Sequence, residues 1–214
     1  VNKSKNILTK TNAFRRSLLL ENQWLDNGFS SFEAMQHSHQ ILLASMKSLN
    51  QDQNLSIIDF GCGNAELLKS IQSSNANIIP YGVEMDSNRL SRVKFNFPEQ
   101  TDNFWCANMF DSGPWVNKQF DLAIVMPGRL TEVSADQAES FVRWLNTNTQ
   151  QVLLYAYGDW VQRMQTGMGD VLSILKKLNI QFAPAETVKS EHCVAYLGKL
   201  IPAAEQKPEL KVLN

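Results

Sequence analysis

Two glycines and two acidic residues stand at the ends of two apolar runs, where they could act together on a ligand. Asp59 ends an apolar run, and Gly61 and Gly63 follow it in the stretch DFGCGNA. Glycine has no Cβ, so a ligand can approach the backbone closely at such a turn. About 20 residues further along the chain, Glu84 closes a second apolar run, where a carboxylate can accept hydrogen bonds from both hydroxyls of a ribose. These residues predict a site for a nucleoside cofactor.

The segment after the turn is predicted to begin a helix near Asn64. The first N–H groups of a helix have no partner within it, so we expect free N–H groups here that favour anionic or carbonyl-like oxygens. A dinucleotide fingerprint, however, needs glycine or alanine where Glu66 stands, and a carboxylate there would repel a pyrophosphate. The pattern Gly-x-x-x-x-Gly-Lys of a P-loop is absent. An NAD-dependent oxidoreductase is therefore a disfavoured alternative.

The elements that must position these residues alternate between strand and helix. Apolar runs predict strands at LSIIDF, NIIPYGVE, NFWCAN, FDLAIVM, QVLLYAYG and CVAYLGKLI, and QFAPAETVKS could hold another. Between them, DSNRLSRVKFNF predicts a single helix capped by Asp86 or Ser87, and SADQAESFVRWLNTN predicts a helix capped by Ser134. This alternation predicts an α/β fold with a mostly parallel sheet.

The chain is predicted to have three parts. Residues 1–49 form an N-terminal helical cap, in which one helix precedes Asn27-Gly28 and a second helix is capped by Ser30 or Ser31. Residues 50–202 form the core with the sheet. Residues 203–214 show little periodicity and are predicted to be a flexible tail.

Composition limits the class of protein. The 214 residues, 43% of them hydrophobic, suit one domain with a sizeable core. The net charge of −1 disfavours tight nonspecific binding to nucleic acid. No apolar run approaches the roughly 20 residues of a membrane span, and the N-terminal residues lack the pattern of a secretory signal. The three isolated cysteines predict neither a disulfide scaffold nor a metal cluster, so we expect a cytoplasmic protein without a metal.

The pattern Asp-x-Gly-x-Gly-x-Ala, with an acid at the end of the next strand, resembles the class I S-adenosylmethionine-dependent methyltransferases. The resemblance covers about residues 55–200 and implies a Rossmann-like, doubly wound sheet of seven strands. It implies S-adenosylmethionine as cofactor, whose ammonium and sulfonium make a nearby Asp59 favourable by Coulomb attraction. The sequence departs from the family pattern at Glu84 and Asn108, where Asp is common, and at Ala65, which replaces a third glycine.

The resemblance also implies which residues contact the cofactor. Glu84 would bind the ribose and Met85 would cover the adenine. Asn108 could accept a hydrogen bond from the adenine amino group, and Met109 would add a backbone N–H. The carbonyl near Met126 would face the ammonium. The implied set, which includes the turn around the methionine part, is Asp59, Gly61, Cys62, Gly63, Glu84, Met85, Asn108, Met109 and Met126.

The methyl acceptor is predicted less specifically. Related enzymes that methylate base amines of nucleic acids usually carry Asp/Asn-Pro-Pro-aromatic after the fourth strand, and this chain has Met126-Pro127-Gly128-Arg129 there. Nucleic acid is therefore disfavoured, and a helical cap of this size is typical of small-molecule enzymes. We expect methyl transfer to an oxygen or nitrogen of a small molecule, in secondary metabolism.

Candidate acceptor and catalytic residues follow from the same analogy. Arg129 is a candidate for binding the acceptor, or it could instead pair on the surface. The candidates for an apolar acceptor pocket are Trp24, Phe29, Trp160, Met164 and Met168. His37 or His39 could be a general base, as could a tyrosine. The two histidines cannot both face one site, because they lie about 200° apart on a helix. Other interpretations stay open: a protein or RNA methyltransferase with a partner subunit, a catalytically silent cofactor-binding module, and a homo-oligomer.

Overall fold

The computed structural model describes residues 27–49, 54–74, 77–158, 175–176, 181–191 and 193–201. The predicted first helix and the predicted tail lie outside the described residues, as do Trp24, Trp160, Met164 and Met168. Among the described residues, no helix is both long and apolar enough to cross a bilayer.

A seven-stranded sheet forms the centre of the molecule. Its order in space is β3-β2-β1-β4-β5-β7-β6, with β1 to β5 parallel and β7 antiparallel to both β5 and β6. The prediction of a mostly parallel, seven-stranded α/β sheet is confirmed, including the uncertain strand in QFAPAETVKS. The strands are β1 Leu55–Phe60, β2 Ile78–Glu84, β3 Phe104–Cys106, β4 Phe120–Val125, β5 Thr149–Tyr157, β6 Gln181–Lys189 and β7 Cys193–Ile201.

The strand order reverses at β1, which lies between β2 and β4. Asp59 near the end of β1 is in register with Gly82 on one side and with Ile124 on the other. In an open α/β sheet, ligands bind outside the carboxyl ends of the strands at such a switch point. The topology therefore puts the glycine turn after β1 at the expected binding crevice.

Five α-helices are described. Ser31 caps the first, because its Oγ accepts from the Ala34 N–H at 3.1 Å. Ser134 caps the last in a capping box with Gln137, as the sequence predicts. The helices are α1 Phe32–Ser45, α2 Glu66–Ser74, α3 Ser87–Leu90, α4 Val93–Asn96 and α5 Ala135–Asn148, with short 3₁₀ helices at Thr101–Asn103 and Pro127–Thr131.

The stretch DSNRLSRVKFNF does not form the single helix that the sequence predicts. Asp86 caps α3 through its Oδ1, which accepts from the N–H of Asn88 at 2.8 Å. Ser91 then ends α3, and its hydroxyl donates to the carbonyl of Asn88 at 2.8 Å. Serine side chains that bond to the backbone in this way compete with helix propagation. The segment is therefore divided into α3 and α4.

Two hydrophobic clusters cover the two faces of the sheet. One face packs against α5, through residues such as Phe141 and Leu145. The other packs against α1 and α2, through residues such as Leu42 and Leu68. Adjacent strand residues alternate between the clusters, as Ile57 and Ile58 do, because side chains alternate across a strand. Helix α1 also contacts β6 and β7, so this part of the predicted cap shares its core with the sheet. A domain boundary at residue 49 stays a prediction.

Candidate active site

A cavity of about 670 Å³ opens at the carboxyl ends of the parallel strands. This volume is within the range of roughly 300–1,000 Å³ that is usual for small-molecule and cofactor sites. The structure brings the residues predicted to contact a cofactor together here. Its lining includes Asp59, Gly61, Cys62, Gly63, Glu84, Met85, Asn108, Met109 and Met126.

The turn after β1 is built from left-handed residues. The φ angles are +86° at Gly61, +56° at Gly63 and +64° at Ala65. Glycine adopts such angles without strain, whereas the Cβ of Ala65 makes its conformation costly. A Cβ added at Gly61 would meet no atom within 4 Å. Gly61 therefore leaves open space beside the backbone at the cavity wall.

The amides of this turn already have acceptors, so the expectation of free N–H groups near Asn64 is wrong. Glu84 accepts from Gly63, and a side-chain oxygen of Asn27 accepts from Asn64. The turn folds back on β2 and on itself, so its remaining amides donate to backbone carbonyls or to the side chain of Asn64. The donor–acceptor distances are 2.8 Å from Gly61 and 3.1 Å from Cys62 to the carbonyl of Val83, 3.0 Å from Gly63 to Glu84, 3.4 Å from Asn64 to Asn27, 2.8 Å from Ala65 to Cys62, and 3.1 Å from Glu66 to the side chain of Asn64.

Two buried carboxyl groups lie against this turn. Asp59 is only 2% exposed, and its Oδ1 has no hydrogen-bond partner. Burial, together with the charge of Glu84, raises the pKa of Asp59 to about 7. A positively charged ligand would stabilise the ionised form of this buried acid, and an anionic ligand would destabilise it. The cavity therefore favours a positively charged group beside Asp59.

Glu84 has a structural role that the sequence did not reveal. Its Oε2 accepts from the N–H of Gly63 at 3.0 Å, and its Oε1 accepts from the N–H of Asp86 at 2.8 Å. One carboxylate thus joins the glycine turn to the start of α3. Each carboxylate oxygen can accept more than one hydrogen bond, so both still have capacity for a ligand.

The side of the cavity predicted to receive adenine combines an exposed apolar side chain with a turn. Met85 is 73% exposed, which is high for a large hydrophobic residue. Asn108 uses its Oδ1 to accept from the N–H of Phe110 at 3.1 Å, so this oxygen already has one donor. Similarly, the carbonyl of Met126 accepts from the N–H of Arg129 at 3.1 Å. Met85 therefore offers an exposed apolar surface on this side of the cavity.

An aromatic wall, consisting of Phe29, Tyr155 and Tyr157, forms another side of the cavity. Phe29 stacks on Tyr157 with ring centroids 4.2 Å apart, and Tyr155 stacks on Tyr157 at 5.8 Å. The Tyr157 hydroxyl donates to the carbonyl of Asn27 at 2.7 Å, and burial raises its pKa to about 12. The sequence analysis did not assign Tyr155 and Tyr157 to the site. Their position at the end of β5, just before Gly158, is the signal that could have identified them.

The two candidate histidines lie in different environments. His39 is 6% exposed and lines the cavity, whereas His37 is exposed and is not among the lining residues. The Nδ1 of His39 shares a 2.9 Å hydrogen bond with the Ser70 hydroxyl, and burial lowers its pKa to about 4. Neutral His39 is therefore a weak base. A catalytic role for either histidine stays a prediction.

Arg129 lines the cavity but has a partner of its own. Its guanidinium donates to both carboxylate oxygens of Glu132, at 2.9 and 3.2 Å, and this hydrogen bonding raises its pKa. Both side chains are about half exposed. Pairing within the protein is thus observed, and an anionic acceptor would have to compete with Glu132.

Comparison with known proteins gives structural matches only. No protein-family sequence model matches the chain, and no curated protein sequence matches it. An S-adenosylmethionine-dependent methyltransferase from Clostridium acetobutylicum matches with a TM-score of 0.56 and 9% identity, over 87% of this chain and 98% of that one. The N-methyltransferase NodS from Bradyrhizobium japonicum matches with 0.55 and 11%, over 79% and 98%.

A third match is larger than this chain. The pyocyanin biosynthetic protein PhzM gives a TM-score of 0.53 and 11% identity, over 74% of this chain. The match covers 54% of PhzM, so this chain spans about half the length of that protein. With the strand order and the glycine turn after β1, these likenesses show that the chain has the fold of the class I S-adenosylmethionine-dependent methyltransferases.

Proposed function

We propose that this chain is an S-adenosylmethionine-dependent methyltransferase that acts on an oxygen or nitrogen of a small molecule. The observation that carries the proposal is Asp59, a buried acid with an unpartnered oxygen, at a turn whose amides are already occupied. A phosphate would find no free donors between Gly61 and Glu66. A cation would find Asp59 and Glu84 together.

The residues present fit this cofactor in charge. Its ammonium would supply the positive partner that the Asp59 carboxylate lacks, and its sulfonium would add a second positive centre. Attraction between opposite charges 4 Å apart is about 4 kcal/mol at an effective dielectric constant of 20, against about 1 kcal/mol in water. Asp59, at 2% exposure, is thus placed to distinguish a cationic ligand from an anionic dinucleotide.

The residues also fit in shape. Gly61 leaves space for a ligand beside the backbone. Glu84 would accept hydrogen bonds from the ribose hydroxyls with lone pairs that Gly63 and Asp86 do not use. The exposed side chain of Met85 would cover the adenine. All three residues line the same cavity.

When bound, S-adenosylmethionine would supply a methyl group that is already activated by its sulfonium. The protein therefore needs chiefly to align the acceptor and to exclude water. The stacked rings of Phe29 and Tyr157 provide an apolar surface for an acceptor. A base is required only for an acceptor that holds a proton at neutral pH, and His39, whose ring lies edge-on to Phe29, is the candidate.

The cavity supports a small-molecule acceptor. Its lining combines aromatic and apolar side chains with several acidic ones, and the only cations among its described lining residues are Arg89 and Arg129. A site for a nucleic-acid backbone would present more Lys and Arg contacts to phosphates. NodS and PhzM act, according to their names, as an N-methyltransferase and in pyocyanin biosynthesis. By analogy with these two proteins, we propose that this chain is a cytoplasmic enzyme of secondary metabolism.

Two measurements test the proposal. Calorimetry should detect binding of S-adenosylhomocysteine and no binding of NAD. A metabolite extract incubated with the protein and a radiolabelled methyl donor should yield a labelled small molecule. Binding without transfer to any acceptor would favour the silent cofactor-binding module, and transfer only to a protein or RNA would favour the other alternative. Binding of NAD and not of S-adenosylhomocysteine would reject the proposal.

A further inference from the structure

Asn27 is hydrogen-bonded to two sides of the cavity. Its side-chain Nδ2 donates to Oδ1 of Asn64 at 2.9 Å, and its Oδ1 accepts from the N–H of Asn64 at 3.4 Å. Its carbonyl accepts from the Tyr157 hydroxyl at 2.7 Å. These partners are 37 and 130 residues away in the sequence. One residue thus joins the glycine turn to the end of β5.

Asn64 is the point at which the glycine turn becomes helix α2. It is completely buried, and its Oδ1 also accepts from the N–H of Glu66 at 3.1 Å. A side-chain oxygen in this position satisfies an amide that the helix itself leaves without a partner. Asn27 therefore bonds to the group that fixes where the turn ends and α2 begins.

The residues after Asn27 complete the contact with the aromatic wall. Gly28 has a φ of +76°, which turns the chain sharply after Asn27. Phe29 then lies against Tyr157 with an angle of 18° between the rings. Asn27 and Phe29 both line the cavity. The segment therefore closes the gap between the turn and the wall.

We propose that Asn27 is a positioning residue, which holds the glycine turn in the shape that receives the methionine part of the cofactor. The inference rests on the proposed function and deepens it. Asn27 supplies both a donor and an acceptor to Asn64, and Tyr157 holds its backbone in place. The turn is thereby fixed from the cavity side, against the wall where the acceptor would lie.

Asn96 offers a matched control. Its Nδ2 donates to the carbonyl of Asn64 at 3.0 Å and to the Glu66 carboxylate at 3.1 Å. It therefore supports the same turn, but from α4, and it is not among the residues that line the cavity. Removal of either amide deletes two side-chain hydrogen bonds to the same segment. Of these two asparagines, Asn27 is the one that also bonds to the aromatic wall, through its carbonyl and Tyr157.

The experiment compares two ligands in the full chain. S-adenosylhomocysteine carries a homocysteine group, which is the methionine part without its methyl group, and adenosine carries neither. In Asn27→Ala, we expect the affinity for S-adenosylhomocysteine to fall about tenfold, as loss of one to two hydrogen bonds predicts. The affinity for adenosine should change less than about twofold. Asn96→Ala should lower the melting temperature and leave the ratio of the two affinities unchanged.

A second variant tests the same connection by a smaller change, so that the test does not depend on the folding of Asn27→Ala. Tyr157→Phe removes only the hydrogen bond to the Asn27 carbonyl, and the ratio should move in the same direction as in Asn27→Ala, by about threefold. A ratio that stays at the wild-type value in the folded variants would overturn the positioning role. An equal change in Asn96→Ala would overturn it too, because any loosening of the turn would then suffice. Failure of the unmodified chain to bind S-adenosylhomocysteine would instead reject the proposed function itself.

Discussion

Asp59 shows how one residue can be costly for folding and useful for binding. Its carboxyl group is 2% exposed, has an oxygen without a partner and lies near a second acid. Burial of an ionised group without a compensating charge is unfavourable. A site that binds a cation can retain such a group, because the ligand supplies the missing charge. The sequence pattern indicated an acid here, but its burial and its unpartnered oxygen depend on packing.

The raised pKa of Asp59 predicts a pH-dependent stability of the ligand-free protein. Its pKa is about 7 in the folded chain, against an ordinary value of 3.8. Between these values the unfolded chain releases the proton and the folded chain keeps it, so stability falls as pH rises. Asp59→Asn removes this dependence. In urea unfolding, the stability of the wild type relative to Asp59→Asn should fall by up to about 1.4 kcal/mol per pH unit from pH 4 to 7. A constant difference across that window would contradict the shifted pKa.

Glu84 can be tested through the ribose that we assign to it. Glu84→Ala should lower stability by about 2–4 kcal/mol, because the amides of Gly63 and Asp86 lose their acceptors. It should also weaken binding of adenosine by about tenfold or more. A comparison of adenosine with 2′-deoxyadenosine separates the two effects. The wild type should discriminate between them, and the variant should not. Discrimination that survives in Glu84→Ala would mean that another group binds the ribose.

At the scale of elements, local patterns predicted most of the fold. Strand runs such as FDLAIV and caps such as Ser134 depend on neighbours in sequence, and they were confirmed. The aromatic wall pairs Phe29 with Tyr157, and the turn pairs Asn64 with Asn27. Such contacts between distant segments have no local signal. The division of DSNRLSRVKFNF at Ser91 was missed because its helical periodicity is intact.

A glycine of the turn after β1 and a glycine directly after β5 offer a matched pair of substitutions. Gly61 and Gly158 both have positive φ, of +86° and +59°, and an added Cβ would meet nothing within 4 Å at either position. Alanine at each should therefore cost about 1–2 kcal/mol through backbone strain alone. Only Gly61 lines the cavity.

We therefore expect Gly61→Ala and Gly158→Ala to lose similar stability in denaturant titrations, but only Gly61→Ala to lose affinity for S-adenosylhomocysteine. Calorimetry on both variants measures this difference. If Gly158→Ala weakened binding as much as Gly61→Ala, strain and not direct approach of the ligand would explain the effect.

At the scale of the whole molecule, the cavity joins segments that are far apart in the chain. Its lining extends from Asn27 to Tyr157 and includes the ends of β1, β2 and β5 and the residue that follows β4, Met126. An unfolded chain cannot present these groups together. A ligand that binds here therefore binds the native state alone, and its binding energy adds to the stability of the fold.

This linkage gives a measurable shift in melting temperature. At a ligand concentration about 100 times the dissociation constant, the native state gains about 2.7 kcal/mol. For a chain of this length, 1 kcal/mol shifts the melting temperature by about 2–4 °C, so S-adenosylhomocysteine should raise it by roughly 5–10 °C. NAD at the same concentration should not, since the amides of Gly61 to Glu66 are occupied and Asp59 and Glu84 repel its pyrophosphate. The shift should shrink in Asp59→Asn, which keeps the cavity and loses the charge. An equal rise with both ligands would show that the cavity recognises the shared adenosine alone, and that the charge of Asp59 plays no part in selection.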